Sequence, residues 1–193
     1  MMFFQETFND IFEENTEILL QRELEKNKWL NVDGSRKKNY VWKYASKTKQ
    51  GDSGESVIRT TLDYILSAIY GSDVTVSIVN KGKGDYDILI LFESTGKTIK
   101  IEAKTATEDV GGNHQFNGLK KHIDYDYAFL FGVSPDSFFF DIASHEELCE
   151  IMTTNMSKDV EGSYKYTIPQ KQLFEYTPGN LYQKLVDVGI IDK

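Results

Sequence analysis

The sequence predicts one domain of α/β class, with a mixed sheet flanked by helices in an α+β arrangement. Three observations predict it: an amphipathic helix after residue 52, a series of short apolar or alternating runs separated by turn residues, and the composition. Of 193 residues, 40% are hydrophobic and 27% are charged, which is typical of a globular protein rather than a disordered chain or a coiled coil. A chain of this length is expected to form a single domain with a sizeable core.

The helix is the best-patterned element. Ser53-Gly54-Glu55 opens it, its apolar residues share one face, and Gly71 ends it as a helix-terminal glycine does. Before it, residues 5–29 are predicted to be largely helical and residues 31–52 irregular and polar. These first 52 residues form an N-terminal helical and basic extension of the predicted domain.

Strands and shorter helices are predicted to follow. The apolar run at 88–92 is typical of a strand buried on both faces, and 81–84 is predicted as a turn. The resulting order is α-β-β-β-α-β-β, with a core at 53–142 and a C-terminal region of helices and a short strand at 143–193. The predicted strands are 74–79, 85–92, 98–105, 127–133, 138–142 and 164–168, and the helices are 115–123, 144–154 and two that start near Pro169 and Pro178.

Cysteine content and hydropathy limit the cellular compartments in which the protein is expected. The single cysteine, Cys149, excludes an internal disulfide framework and a cysteine-based zinc site, which favours a reducing compartment, the cytoplasm. No stretch approaches the roughly 18 consecutive apolar residues of a transmembrane helix. The start, Met1-Met2-Phe3-Phe4, lacks the basic flank and apolar length of a signal peptide. No membrane partner is expected.

Charge is segregated along the chain. The net charge of −8, from 30 acidic and 22 basic residues, taken alone argues against a nucleic-acid partner. Residues 1–33, however, carry eight acidic against three basic groups, and 141–163 carry six against one, whereas 35–50 carry six basic groups and no acidic one. The net charge is therefore an average over acidic N- and C-terminal regions and one basic segment.

The basic stretch at 35–50 is interleaved with the aromatic residues Tyr40, Trp42 and Tyr44. This pattern suits an arm that contacts nucleic-acid phosphates, since neutralising backbone charge supplies much of the affinity. The alternative is a solvated loop whose Trp42 packs on the core. The bases concerned are Arg36, Lys37, Lys38, Lys43, Lys47 and Lys49.

The strand at 98–105 carries the candidate chemistry. Because side chains alternate across a strand, Lys100, Glu102 and Lys104 share one face. Antiparallel pairing with the preceding strand, through a four-residue connection at 93–96, would set Asp87 opposite Glu102 and Asp85 opposite Lys104. A slip of one residue would move both aspartates to the other face.

Two carboxylates beside a lysine are suited to a hard divalent cation. Mg²⁺ takes oxygen ligands and keeps several waters, so one or two carboxylates plus phosphate oxygens suffice. Such an ion can stabilise charge on a phosphate and activate a water, which the lysine can hold. The alternative is a salt-bridged sheet edge in which Lys104 only neutralises Asp87 and Glu102.

At these residues the sequence resembles the PD-(D/E)xK nuclease superfamily, whose restriction-endonuclease-like fold has an αβββαβ core. The resemblance spans 54–133 and rests on the helix with Glu55, the run at 84–90, Ile-Glu-Ala-Lys at 101–104 and a following helix with Gln115. One departure is Tyr86, which stands where the family has proline and leaves Asp85 as a rival to Asp87.

The resemblance implies the roles of these residues. Asp87 and Glu102, with the carbonyl of Ala103, would bind Mg²⁺, for which Mn²⁺ could substitute. Lys104 would assist the water, and Glu55 and Gln115 would be accessory catalytic residues. DNA contacts are expected from the basic stretch and, more weakly, from His114, Lys120 and Lys121, although His114 also suits a solvated loop.

The expected activity is that of a type II restriction endonuclease. It would cut double-stranded DNA as a homodimer and leave 5′-phosphate ends, because two related sites address both strands of a palindrome. A Holliday-junction resolvase or repair nuclease of the same superfamily is the nearest alternative. A non-catalytic DNA-binding module on this fold is the alternative from another class.

Overall fold

The long helix begins earlier than its apolar pattern predicts. The computed structural model describes residues 27–79, 86–154, 156–158 and 162–192. In it a short helix, α1 (Tyr40–Tyr44), precedes α2 (Lys47–Tyr70), and α2 ends at Gly71, whose φ is +62°. The prediction of irregular structure over 31–52 is therefore wrong from Tyr40 onward. The predicted helix at 5–29 lies outside the described residues up to residue 26, and its last residues form a turn.

Local hydrogen bonds explain the early start of α2. The Ser46 hydroxyl accepts a hydrogen bond from the Lys49 amide (3.3 Å), which caps the first turn. The buried Gln50 side chain donates to the carbonyls of Trp42 (2.8 Å) and Ala45 (3.0 Å) and so ties α1 to α2. A polar segment thus becomes ordered through side-chain bonds that hydropathy does not register.

All six predicted strands are confirmed, and with three further strands in the described part of the chain they form two sheets. The strands are β1 (Val74–Ile78), β2 (Ile88–Phe92), β3 (Lys97–Thr107), β4 (Asn113–Leu119), β5 (Tyr127–Val133), β6 (Phe138–Ser144), β7 (Ser157–Lys158), β8 (Tyr164–Pro169) and β9 (Phe174–Glu175). The larger sheet has the order β1-β2-β3-β5-β6-β9, in which β3 and β5 are parallel and the other pairs antiparallel; the smaller has the order β4-β8-β7. The mixed-sheet prediction is confirmed.

The helix predicted at 115–123 is wrong, because the first part of this segment is strand β4. His114 and Phe116 are buried while Gln115 and Asn117 are exposed, which is the period of a strand. Pairing with β8 places Gln115 opposite Thr167. The connection between the parallel strands β3 and β5 therefore runs through a strand of a second sheet instead of the helix that such crossovers usually contain.

Helices cover the larger sheet on both faces. Helix α2 and the C-terminal helix α4 (Pro178–Asp187) contribute to one apolar cluster, and α3 (His145–Thr154) joins β4 and β8 in a second. The predicted helices at 144–154 and after Pro178 are thus confirmed, whereas only a short 3₁₀ turn follows Pro169. Strand β2 is fully covered on one face only, since Leu89 and Leu91 are half-buried.

Candidate active site

The register of β2 and β3 places the predicted carboxylates at one level. Ile88 pairs with Ile101, and the Asp87 amide donates to the Ile101 carbonyl (3.0 Å). The two strands are joined by four residues that end at Gly96, whose φ of +67° a glycine adopts easily. Asp87 consequently lies one step beyond the last ladder pair, level with Glu102, as the antiparallel prediction requires. Asp85 lies outside the described residues.

Glu102 contacts both Asp87 and Lys104. One Asp87 carboxylate oxygen accepts a hydrogen bond from the Ala103 amide (2.8 Å), and the Asp87 and Glu102 carboxyl groups lie within hydrogen-bonding reach of each other. The Lys104 ammonium forms an ion pair with Glu102. Glu102 is only 7% exposed, and burial raises its pKa, opposed by Lys104 and reinforced by Asp87.

Helix α2 adds Glu55 to this cluster through the glycine before it. A Cβ on Gly54 would lie 1.8 Å from the Thr105 hydroxyl oxygen, so only glycine lets the helix approach β3 this closely. Glu55 is half-buried, and burial followed by the Asp87 charge raises its pKa, whereas Lys104 lowers it. The structure therefore brings together Glu55, Asp87, Glu102 and Lys104.

The cluster fits a magnesium ion that keeps several of its waters. Within the described ranges no three His, Cys, Asp or Glu side chains converge as a ready metal cage. Two adjacent carboxylates, one of them nearly buried, nonetheless supply the charged oxygen ligands that Mg²⁺ uses when waters and phosphate oxygens complete its shell. A cation between Asp87 and Glu102 would also offset the cost of holding two carboxylates so close.

Gln115 and His114 lie elsewhere than predicted. Gln115 is exposed on β4 rather than carried on a helix. His114 is fully buried, not solvated, with Nε2 3.3 Å from the Ser134 hydroxyl and its ring stacked near Phe116. Burial lowers its pKa. A buried ring cannot reach a DNA backbone, so the predicted DNA contact of His114 is corrected.

The basic stretch is partly built into the fold. Lys37 forms an ion pair with Asp136 (2.9 Å), and Lys43 donates to the Glu108 carbonyl (3.0 Å). Burial and the nearby Lys47 lower the pKa of Lys43. Trp42 packs edge-on against Phe131 and Phe138, as the loop alternative predicted. Arg36, Lys38, Lys47 and Lys49 are exposed; Lys120 and Lys121 are half-exposed, and Lys121 lies over the Tyr164 ring.

Tyr125, to which the sequence patterns assign no functional role, lies close enough to Glu102 to feel its charge. Tyr125 is buried, its hydroxyl has no hydrogen-bond partner within the described part of the chain, and burial and the Glu102 charge raise its pKa. Its apolar cluster includes Ala128, which pairs with Glu102 across β3 and β5. The sequence offers no local signal for this proximity, because it arises from the parallel pairing.

Two nucleases are among the solved structures of similar outline. A bacterial homing endonuclease superposes with a TM-score of 0.43 at 13% identity and covers 76% of this chain and 99% of its own. A nuclease from a fusselovirus gives 0.40 at 14% identity and covers 73% and 96%. No protein-family model and no curated protein matches the chain. Because both TM-scores are below 0.5, the proposals below rest on the geometry of this chain.

None of the helices in the described ranges is long and apolar enough to cross a membrane.

Proposed function

We propose that the protein is a Mg²⁺-dependent endodeoxyribonuclease of the PD-(D/E)xK superfamily that hydrolyses DNA phosphodiesters to leave 5′-phosphate ends. The observation that carries the proposal is the level placement of Asp87 and Glu102 on adjacent strands, with Lys104 in contact with Glu102. This arrangement combines two carboxylate ligands for a divalent ion with the ammonium of Lys104. A divalent ion held there can stabilise charge on a phosphate and activate a water for attack.

Each residue of the cluster has a distinct role in this proposal. Asp87 and Glu102 would hold Mg²⁺ with the Ala103 carbonyl, and Mn²⁺ would substitute. The bound ion would supply charge stabilisation at the phosphate and a more acidic water. Lys104 would release Glu102, hold the attacking water and orient it toward the phosphorus. Glu55, half-buried beside Asp87, would accept a proton or a water hydrogen bond.

Within this class we propose a type II restriction endonuclease acting on duplex DNA. A Holliday-junction resolvase or repair nuclease would use the same cluster on a different substrate. Incubating the protein and Mg²⁺ with a linear plasmid and, separately, with a four-way junction distinguishes them. Discrete bands from the plasmid support restriction, whereas cutting confined to the junction contradicts it.

A non-catalytic DNA-binding module is the second candidate. It is favoured by the ion pair between Lys104 and Glu102, which neutralises one carboxylate of the cluster without a metal. In that case neither Mg²⁺ nor Mn²⁺ would give cleavage of any DNA, and the cluster would act only in folding. Incubation with mixed genomic DNA, followed by sequencing of the ends produced, tests this directly and would also reveal a recognition sequence.

Asp87→Asn and Lys104→Ala are each expected to lower cleavage by at least about 100-fold, since they remove a metal ligand and a water-holding group. Lys100→Ala is the matched control, because Lys100 lies on the same face of β3 but pairs with the exposed Asp124. It should retain activity. Plasmid nicking measures the rates, and circular dichroism checks the fold. Full activity in both site variants would contradict the assignment.

A further inference from the structure

A shallow groove opens beside α1 at the N-terminal end of α2. Its lining combines two exposed cations, Arg36 and Lys49, with Tyr40, Val41 and Tyr44. Val41 is 71% exposed and Tyr44 55% exposed, so an apolar strip lies between positive charges. The segment from 35 to 50 contains no acidic residue.

Four cations of the basic stretch fall into two sets. Lys37 and Lys43 are anchors, because Lys37 pairs with Asp136 and Lys43 donates to the Glu108 carbonyl and lies over the Trp29 ring. Arg36 and Lys49 contact no carboxylate in the described part of the chain. The first set fixes the segment to the sheet, and the second leaves its charge facing the groove.

The groove is held in shape before anything binds. The Tyr40 and Tyr44 rings stack with centroids 4.3 Å apart, and the Arg36 guanidinium lies 4.9 Å over the Tyr40 ring. The side-chain amide of Asn27 donates a hydrogen bond to the Tyr44 hydroxyl (3.2 Å). A pre-ordered surface loses less conformational entropy on binding than a flexible arm does.

We propose that this groove docks the substrate duplex of the proposed nuclease. Arg36 and Lys49 contact backbone phosphates, and Val41 and Tyr44 pack against the sugars between them. The inference rests on the proposed function, which makes duplex DNA the substrate. It rests also on charge complementarity between the cations of the groove and the DNA phosphates. Lys49 and Glu55 are six residues apart on α2, about 9 Å along the helix axis. Along that axis the groove and the carboxylate cluster are thus about three base pairs of duplex rise apart.

Lys49 occupies a position where helix stability would favour an acid. It is the third residue after the cap Ser46 and already donates its amide to the Ser46 hydroxyl. A glutamate there would complete a capping box by accepting a hydrogen bond from the Ser46 amide. Lys49→Glu is therefore expected to raise the midpoint of thermal unfolding while it weakens DNA binding. A folding defect cannot produce that combination.

The test is fluorescence anisotropy of a labelled duplex at several salt concentrations, with metal removed so that no cleavage occurs. Arg36→Ala and Lys49→Ala should each make the slope of log K against log salt shallower by about 0.9. Val41→Ser should weaken binding without changing the slope. Lys97→Ala is the matched control, because Lys97 is the first residue of β3 and does not line the groove. It should leave both the affinity and the salt slope unchanged.

The outcomes for the groove and for the proposed activity are separable. If the Arg36→Ala and Lys49→Ala variants both keep the salt slope of the wild type, the docking surface is overturned even if the protein cleaves DNA. It is also overturned if the wild-type protein binds no duplex. Shallower slopes in a protein that cuts no DNA uphold the surface and overturn only the nuclease activity. A Lys49→Glu chain that is more stable and binds as tightly as wild type also overturns the surface.

Discussion

At the residue scale, the described residues of the candidate site carry more acidic than basic groups. Among them, Glu55, Asp87 and Glu102 surround the ammonium of Lys104, and Glu102 is only 7% exposed. Buried carboxylates of like charge are costly unless a cation or a proton accompanies them. Such a cluster is expected to lower the stability of the fold. Its free-energy cost is explained if the site binds a cation beside a phosphate.

His114 is expected to make stability depend on pH. Its environment includes Glu108, Asp109 and Lys43, but burial dominates and lowers its pKa below the value of about 6.5 in the unfolded chain. The unfolded chain thus binds a proton that the folded protein does not. The stabilisation is complete above pH of about 6.5 and is lost as pH falls toward the folded pKa.

Urea unfolding of wild type and His114→Leu at about pH 7.5 and about pH 5.5 measures this contribution. The wild type should lose more stability on acidification than the variant, because only the wild type carries the buried ring. His122→Asn, at an exposed position, is the control and should follow the wild type. Equal acid-induced losses in wild type and His114→Leu would contradict the prediction.

At the element scale, the approach of α2 to β3 decides where Glu55 lies. Gly54→Ala is expected to destabilise the protein by about 1–3 kcal/mol, since its Cβ would overlap Thr105. Gly51→Ala is a matched control on the same helix, where nothing lies within 4 Å of the new Cβ. It should stabilise by up to about 1 kcal/mol through helix propensity. Chemical denaturation of both variants, with cleavage rates, checks the prediction; two stabilised variants would contradict it.

The elements differ in how well local pattern predicts them. Strand β3 and the end of α2 at Gly71 were predicted because alternation and a terminal glycine are local signals. Strand β4 was predicted as a helix, since its alternation is masked by polar residues and its partner β8 lies far along the chain. The early start of α2 depends on the Ser46 cap and on the contacts of Gln50 with α1.

At the scale of the whole molecule, the net charge of −8 sets the conditions for DNA binding. An acidic protein repels a polyanion except where its cations are concentrated, as they are in the groove beside α1. We expect non-specific affinity to fall steeply with salt and to increase with Mg²⁺, which reduces the negative charge at Asp87 and Glu102.

The restriction proposal also predicts a two-fold assembly. Sedimentation should give twice the mass of one chain, at least when a cognate duplex is bound, because two symmetry-related sites address the two strands of a palindrome. Cleavage of both strands in one binding event should accompany it. A protein that stays monomeric on DNA and only nicks it would contradict the dimer while leaving the cluster at Asp87 intact.

The sequence by itself determined the mixed-sheet class and the level placement of Asp87 and Glu102. Both follow from short-range rules, namely strand alternation and a connection of four residues. Only the tertiary structure decided that Glu55 joins the cluster, that His114 is buried and that Lys37 and Lys43 are anchors. These outcomes depend on the approach of elements distant in sequence, and that approach is set by packing and by non-local hydrogen bonds, which no local pattern records.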